Sequence, residues 1–427
     1  MNKVAHIEPL AEPIQAEVTV PGSKSLTNRA LIVATLANGT TTLLGASDAN
    51  DSLILVRLLR KLGVDIQTEG STITVKGNGG KFKPYNGELD AEDAGTVMRF
   101  LSALCCIVSG EITLKGSQRM HERPIYGLVD ALSAFGAQIT YSGKEGFPPI
   151  KIRGGSFKGG TVHVDTSLSS QFVSALLMVA PILSSDTEII CEGAQVSIPY
   201  IEMTIAVMKE FGVHVEQKKI GHYFIKSGQE YKAREYKIEG DASSASYFLA
   251  LAAIFGSTVK VTNLNPGSLQ SDAKFADILE NMGCAVSRDK SISVTGTPRL
   301  KAVEVDMSGM PDTAQTLSVV AAFAKGETLI TGLSTLKHKE TDRLKALRME
   351  LSKLHINSKA DDSSIRITGG NPRGAYINTY DDHRMAMAFA IVGARTGVSI
   401  DSPDVVKKSF PGYWNVLKSM GINVVLE

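Results

Sequence analysis

Lys24 and Arg29 in PGSKSLTNR (Pro21–Arg29), and Arg384 in YDDHR (Tyr380–Arg384), stand at the openings of apolar stretches that should be helices. A cation at a helix N-terminus is on the unfavourable side of the macrodipole. A ligand phosphate or carboxylate would reconcile the two, using both the free amides and the positive side chain. Three further basic clusters follow: RMHERP with Arg119 and Arg123, LKHKETDR with Lys337, Lys339 and Arg343, and VVKKSFPGYW with Lys407 and Lys408. Taken singly, each reads as a solvated charged loop. Taken together, in a chain whose formal net charge is only +1, they point to a local site for more than one anionic group. Arg suits bidentate contact with carboxylate or phosphate, and Lys acts as a point charge.

Two carboxylates lie within this field. Asp312 opens a helix in MPDTAQ, and Glu340 lies between Lys339 and Arg343. Such a pair could take and deliver protons under the influence of neighbouring cations. The alternative for Glu340 is a first-turn helix acid with local ion pairs. His383, beside Asp382, reads as an oriented polar residue or as a further acid/base group. No Walker A loop surrounds Lys24, no GxGxxG follows a strand, and no HExxH or CxxC occurs.

The elements that must position these residues recur. Amphipathic stretches stop at Gly63, Gly136, Gly212, Gly283 and Gly421, with His355 at the corresponding place in another copy, so the stops come every 66 to 76 residues. A fixed period marks a repeat architecture. Each cycle reads as β-α-β-α-β-β, and its polar tip opens an inner helix. The six tips are PGSKSLTNR, EDAGT (Glu92–Thr96), SLSSQ (Ser167–Gln171), GDASSAS (Gly240–Ser246), MPDTAQ (Met310–Gln315) and YDDHR. Ser169 and Asp241 should cap their helices, and the fourth tip, which has no cation, should be structural. Most of the first helices of the cycles are apolar nearly all round and should be interior, with alternating strands outside.

Six units exceed one core, so a three-and-three division is expected: residues 22–239 as an inserted N-terminal-half domain, and residues 1–21 with 240–427 as a C-terminal-half domain closed by the N-terminal strand. The tips of both halves should then face one cleft. Cys105, Cys106, Cys191 and Cys284 show no metal or disulfide spacing and read as small buried hydrophobes. No stretch reaches the roughly 20 apolar residues a membrane helix needs. A cytoplasmic monomer that binds neither nucleic acid nor membrane is the expectation.

PGSKSLTNRAL, DAGTVMR, RMHERPI, SLSSQFVSALLM, EGDASSASYFLA, KETDRL, DDHRMAMA and KKSFPGYW closely resemble the EPSP synthase family of enolpyruvyl transferases, over essentially the full chain. The resemblance implies a two-domain inside-out α/β barrel. It also implies transfer of the enolpyruvyl group of phosphoenolpyruvate to the 5-hydroxyl of shikimate 3-phosphate through a tetrahedral adduct, with release of phosphate and no metal or organic cofactor. By resemblance, Ser25, Arg29, Ser169, Ser170, Ser197, Tyr200 and Lys339 contact shikimate 3-phosphate. Gly95, Arg123, Arg343, Arg384 and Lys408 contact phosphoenolpyruvate, and Lys24 and Gln171 face both. Asp312 matches the base for the attacking hydroxyl, Glu340 matches the residue that handles the methylene proton, and Lys24 joins them as a catalytic residue. Asp93 and Phe100 depart from the common pattern, which has Asn and Pro there, and Thr335 stands where some members have a substrate-contacting Asn. The sister transferase that acts on UDP-N-acetylglucosamine is the rival, but most of its members carry a loop Cys that GSQRMHERP lacks. A non-catalytic anion-binding repeat protein is the other alternative; Lys24, Asp312, Glu340 and Lys408 argue against it.

Overall fold

Helices with no polar side need a wall of sheet around them, and the chain supplies one. A computed structural model describes residues 3–155, 157–194 and 196–427. The inner helices are Lys24–Leu36, Gly95–Cys105, Gln171–Val179, Ala242–Phe255, Ala314–Ala321 and His383–Thr396. Ala242–Phe255 and Ala314–Ala321 are buried along their whole length. The second helix of a cycle behaves differently: Asn50–Lys61 buries Ile54, Leu55, Leu58 and Leu59 while Leu53, Arg57 and Arg60 face water, the one-sided pattern of a surface helix.

Each cycle ends in a four-stranded sheet. In the second cycle, Gly87–Asp90 runs parallel to Gly110–Lys115, because the intervening helix carries the chain back to its starting end. The hairpin of Gln138–Tyr141 and Ile150–Gly154 then adds antiparallel. The third and fifth cycles repeat this order. The first and fourth exchange their leading strands: Gln15–Val18 pairs with Thr258–Val261, and Glu235–Lys237 pairs with Asn38–Leu44. In the last cycle Val4–Ile7 fills the gap between Val398–Asp401 and Val424–Leu426.

The chain forms two compact units. One is Gly22–Ile238; the other joins the residues up to Pro21 with Glu239–Glu427. Each has its own hydrophobic core, in which its three inner helices pack on one another. The four cysteines are unpaired, and all but Cys191 are buried. Burial pushes the Cys105 thiol up to about 12, which suits packing rather than reactivity. Among the described residues no helix is long and apolar enough to cross a membrane.

The Gly stops are left-handed, with φ between 86° and 104° at Gly63, Gly136, Gly212, Gly283 and Gly421, as a helix C-cap requires. His355 holds the same conformation at φ 62°, where a Cβ costs about 1–2 kcal/mol. His355→Gly should therefore stabilise the protein by up to about 1 kcal/mol after the larger chain entropy of glycine is subtracted. A raised urea midpoint checks this; a lowered one would mean that the imidazole makes contacts worth more than the strain.

Candidate active site

In the unit Gly22–Ile238, Ser23 caps the first inner helix by accepting from Leu26 N at 3.4 Å. This starts the helix at Lys24. The Lys24 ammonium donates to Asp51 Oδ2 at 3.0 Å, and the Asp51 side chain is nearly buried. Arg29, one turn further on, is buried deeply. Its Nε donates to Thr204 Oγ1 at 2.7 Å, Nη1 to the Ser25 carbonyl at 3.0 Å, and Nη2 to Tyr200 O at 3.1 Å and Ser174 Oγ at 3.4 Å. These contacts use four of its five N–H groups, and its guanidinium carbon lies 5.4 Å from the centroid of the Phe100 ring. Burial pushes its pKa down to about 10, with Tyr200 opposing the shift. Arg29 thus ties the first, second and third cycles together as well as facing its own tip.

The second tip is built around a close approach. The Arg123 guanidinium lies so near Gly95 that a Cβ there would be 2.7 Å from Nη2 and 2.8 Å from Nη1. Arg123 is mostly buried, and its Nε has no hydrogen-bond partner. No side chain caps the helix Gly95–Cys105. A buried unpartnered donor beside uncapped helix amides is the arrangement an anion would complete. Gln171 Nε2 donates to Thr96 Oγ1 at 3.3 Å, joining the second and third tips. Ser169 Oγ accepts from Gln171 N at 3.2 Å, Ser170 is buried beside it, and Ser197 and Tyr200 open the helix Ile198–Glu210. Asp93 accepts from the Ser117 hydroxyl, so its carboxylate is engaged with the loop that follows the strand Gly110–Lys115.

The other unit gathers the acidic candidates on one cation. Arg343 is buried. Its Nη2 donates to Glu340 Oε2 at 2.9 Å, Nη1 to Asp312 Oδ1 at 3.2 Å, and Nε to Asp382 Oδ2 at 2.7 Å. Burial opposes the Arg343 charge, but Asp382, Glu340 and Asp312 together outweigh it and hold the pKa above its ordinary value. Asp312 also meets Arg384 Nη2 at 2.7 Å and Lys339 Nζ at 3.4 Å, and Glu340 Oε1 lies 3.5 Å from Lys408 Nζ. Among the described contacts four cations meet three carboxylates here, a field that attracts anions while keeping proton-transfer groups inside it.

The predicted site residues thus fall into two groups. Lys24, Ser25, Arg29, Gly95, Arg123, Ser169, Ser170, Gln171, Ser197 and Tyr200 belong to one unit, and Asp312, Lys339, Glu340, Arg343, Arg384 and Lys408 to the other. Arg119 pairs with Glu122 three residues on, and Lys407 with Asp404, as charged loops do. His383 is buried with Nδ1 3.7 Å from Asp382. In the fourth tip Asp241 caps through Ser244 N at 2.8 Å.

Sequence reading missed Asp51, Asp382 as an arginine holder, and Tyr247, whose hydroxyl accepts from Arg384 Nη1 at 3.4 Å. Only Asp382 left a signal, as an N-cap residue before an apolar run. Backbone strain is also concentrated here: Glu92, Ser197, Tyr380 and Asp381 have φ between 48° and 56°, a conformation that non-glycine residues hold at functional sites when their surroundings enforce it.

Residues 10–417 match the family model described as EPSP synthase (3-phosphoshikimate 1-carboxyvinyltransferase). A protein of Sulfurovum sp. (strain NBC37-1) named 3-phosphoshikimate 1-carboxyvinyltransferase is 45% identical over 415 residues, covering 95% of this chain and 97% of the relative. One of the same name from Klebsiella pneumoniae (strain 342) is 44% identical over 417 residues, covering 96% and 97%. The EPSP synthase structure from Acinetobacter baumannii superposes with a TM-score of 0.85 at 25% identity, covering 100% of both chains.

Proposed function

The chain belongs to the EPSP synthase (3-phosphoshikimate 1-carboxyvinyltransferase) family, and from that premise we propose how its residues divide the transfer of an enolpyruvyl group from phosphoenolpyruvate to shikimate 3-phosphate. The observation that carries the proposal is that one buried guanidinium, Arg343, holds both Asp312 and Glu340. Asp312 takes the proton of the 5-hydroxyl as its oxygen attacks C2 of phosphoenolpyruvate. Glu340 delivers a proton to the C3 methylene, which becomes a methyl group in the tetrahedral adduct. The methyl then returns one proton, the C–O bond to phosphate breaks, and the enol ether product and phosphate leave.

Cations carry the rest. Arg123, above Gly95 and beside uncapped amides, binds phosphoenolpyruvate together with Arg343, Arg384 and Lys408. Ser25, Arg29, Ser169, Ser170, Ser197, Tyr200 and Lys339 hold shikimate 3-phosphate, and Lys24 and Gln171 serve both. Preorganised donors of this kind stabilise charge as it develops, and alignment of the two substrates lowers the barrier by up to about 7–11 kcal/mol.

The acceptor is tested by substitution of substrates. With phosphoenolpyruvate and shikimate 3-phosphate the protein should release phosphate; with UDP-N-acetylglucosamine in place of shikimate 3-phosphate it should not. The reverse outcome would assign the chain to the sister chemistry.

A further inference from the structure

The residues before Arg384 are held against their own backbone preference, and the groups that hold them lie outside the set assigned above. Tyr380 and Asp381 are both left-handed, at φ 55° and 56°, each an unfavourable state for a residue with a Cβ. Asp381 is followed by Asp382, which is fully buried and caps the inner helix His383–Thr396 by accepting from Arg384 N at 2.8 Å. The double turn therefore sets where Asp382 stands. Asp382 in turn sets the Arg343 guanidinium through Nε at 2.7 Å and Nη2 at 3.4 Å.

Something must enforce two strained residues in a row. Glu350, in the last turns of the helix Arg343–Lys353, is fully buried. Its Oε1 accepts from the Tyr380 hydroxyl at 2.5 Å, and its Oε2 accepts from Asn378 N at 3.0 Å and Lys353 Nζ at 2.7 Å. Burial and the neighbouring carboxylate hold the Tyr380 hydroxyl well above its usual range, so it stays a donor. Between these two anchor points, Thr379 is gripped by Asp401 Oδ1, which accepts from both its amide and its hydroxyl at 2.7 Å. The outer helix Arg343–Lys353 is thus fastened to the same tip at both ends, by Arg343 on Asp382 and by Glu350 on Asn378 and Tyr380.

We propose that Glu350 and Tyr380 form a latch that positions Arg343 and Arg384 for phosphoenolpyruvate, acting through the strained Tyr380–Asp381 turn and Asp382. Neither residue touches substrate; both are positioning residues. The inference rests on the assignment of Arg343 and Arg384 to phosphoenolpyruvate. Displacing an aligned contact by a fraction of an ångström is costly to catalysis, so loss of the latch should appear in the handling of one substrate and not the other.

Tyr380→Phe is the gentle test, because it removes one hydroxyl and leaves Glu350 its other two donors. Steady-state kinetics with each substrate varied should show KM for phosphoenolpyruvate raised about tenfold, with KM for shikimate 3-phosphate unchanged and thermal unfolding close to that of the unsubstituted protein. Glu350→Gln should shift the same constant in the same direction by more, since it also weakens the hold on Asn378. If Tyr380→Phe leaves KM for phosphoenolpyruvate unchanged, or raises both constants alike, the latch has no part in positioning and the inference is overturned. Turnover of the unsubstituted protein, measured alongside, separates this from failure of the underlying assignment: an active parent with an indifferent variant refutes the latch alone.

Discussion

Glu340→Gln should slow turnover by about 10²–10⁴-fold while leaving shikimate 3-phosphate affinity nearly intact. The carboxylate meets Arg343 Nη2 through Oε2 at 2.9 Å and Lys408 Nζ through Oε1 at 3.5 Å; a glutamine amide oxygen can keep the shorter contact with Arg343, and only the longer one to Lys408 is given up. What it cannot do is carry a proton to the methylene carbon. Arg343 retains Asp312 and Asp382 as partners in the variant, so the buried charge is not stranded. Equilibrium binding of shikimate 3-phosphate and kcat, measured on the same preparation, decide between proton transfer and an ion pair. A binding loss as large as the rate loss would return Glu340 to the role of a local structural acid.

Gly95→Ala should raise KM for phosphoenolpyruvate by roughly ten- to a hundredfold with little change in KM for shikimate 3-phosphate. The new methyl group would lie 2.7–2.9 Å from the Arg123 guanidinium atoms, closer than van der Waals contact allows. Gly95 is the first residue of its helix, where alanine is well tolerated, so the backbone keeps its place and the arginine moves. Losing one charge-assisted hydrogen bond costs about 1.5–3 kcal/mol, which corresponds to that range in affinity. A variant in which only the shikimate 3-phosphate constant rose would show that Arg123 had been assigned to the wrong substrate.

The repeat was legible because its grammar is local. Glycine stops, apolar helices and alternating strands lie within a few residues of one another, and the left-handed φ at Gly63 or Gly421 is what a Gly at that point implies. The tips were legible for the same reason: cations at helix openings conflict with the dipole over a span of one turn. The exchange of leading strands between the first and fourth cycles was not legible. Gln15–Val18 and Glu235–Lys237 are equally good leading strands, and their partners lie 243 and 193 residues away; tertiary packing alone decides between them.

Long-range partners account for the rest of what the sequence did not disclose. Arg29 reads as a free cation in PGSKSLTNR, yet it spends most of its donors on Thr204, Ser174 and Tyr200, 145 to 175 residues away. Asp51 reads as an ordinary first-turn acid, yet it holds Lys24. Glu350 reads as a surface acid in an amphipathic helix, yet it is fully buried beneath the sixth tip. Left-handed Glu92, Ser197, Tyr380 and Asp381 carry none of the glycine that announces such a conformation.

The most direct measurement is turnover of both substrates in D2O, followed by phosphate assay and by mass spectrometry of the organic product. If the methylene carbon becomes a methyl group in the adduct and then gives back one of its three hydrogens, phosphate appears and the product methylene carries solvent deuterium. Phosphate without deuterium in the product would contradict protonation at that carbon. No phosphate, with both substrates bound, would contradict the transfer itself.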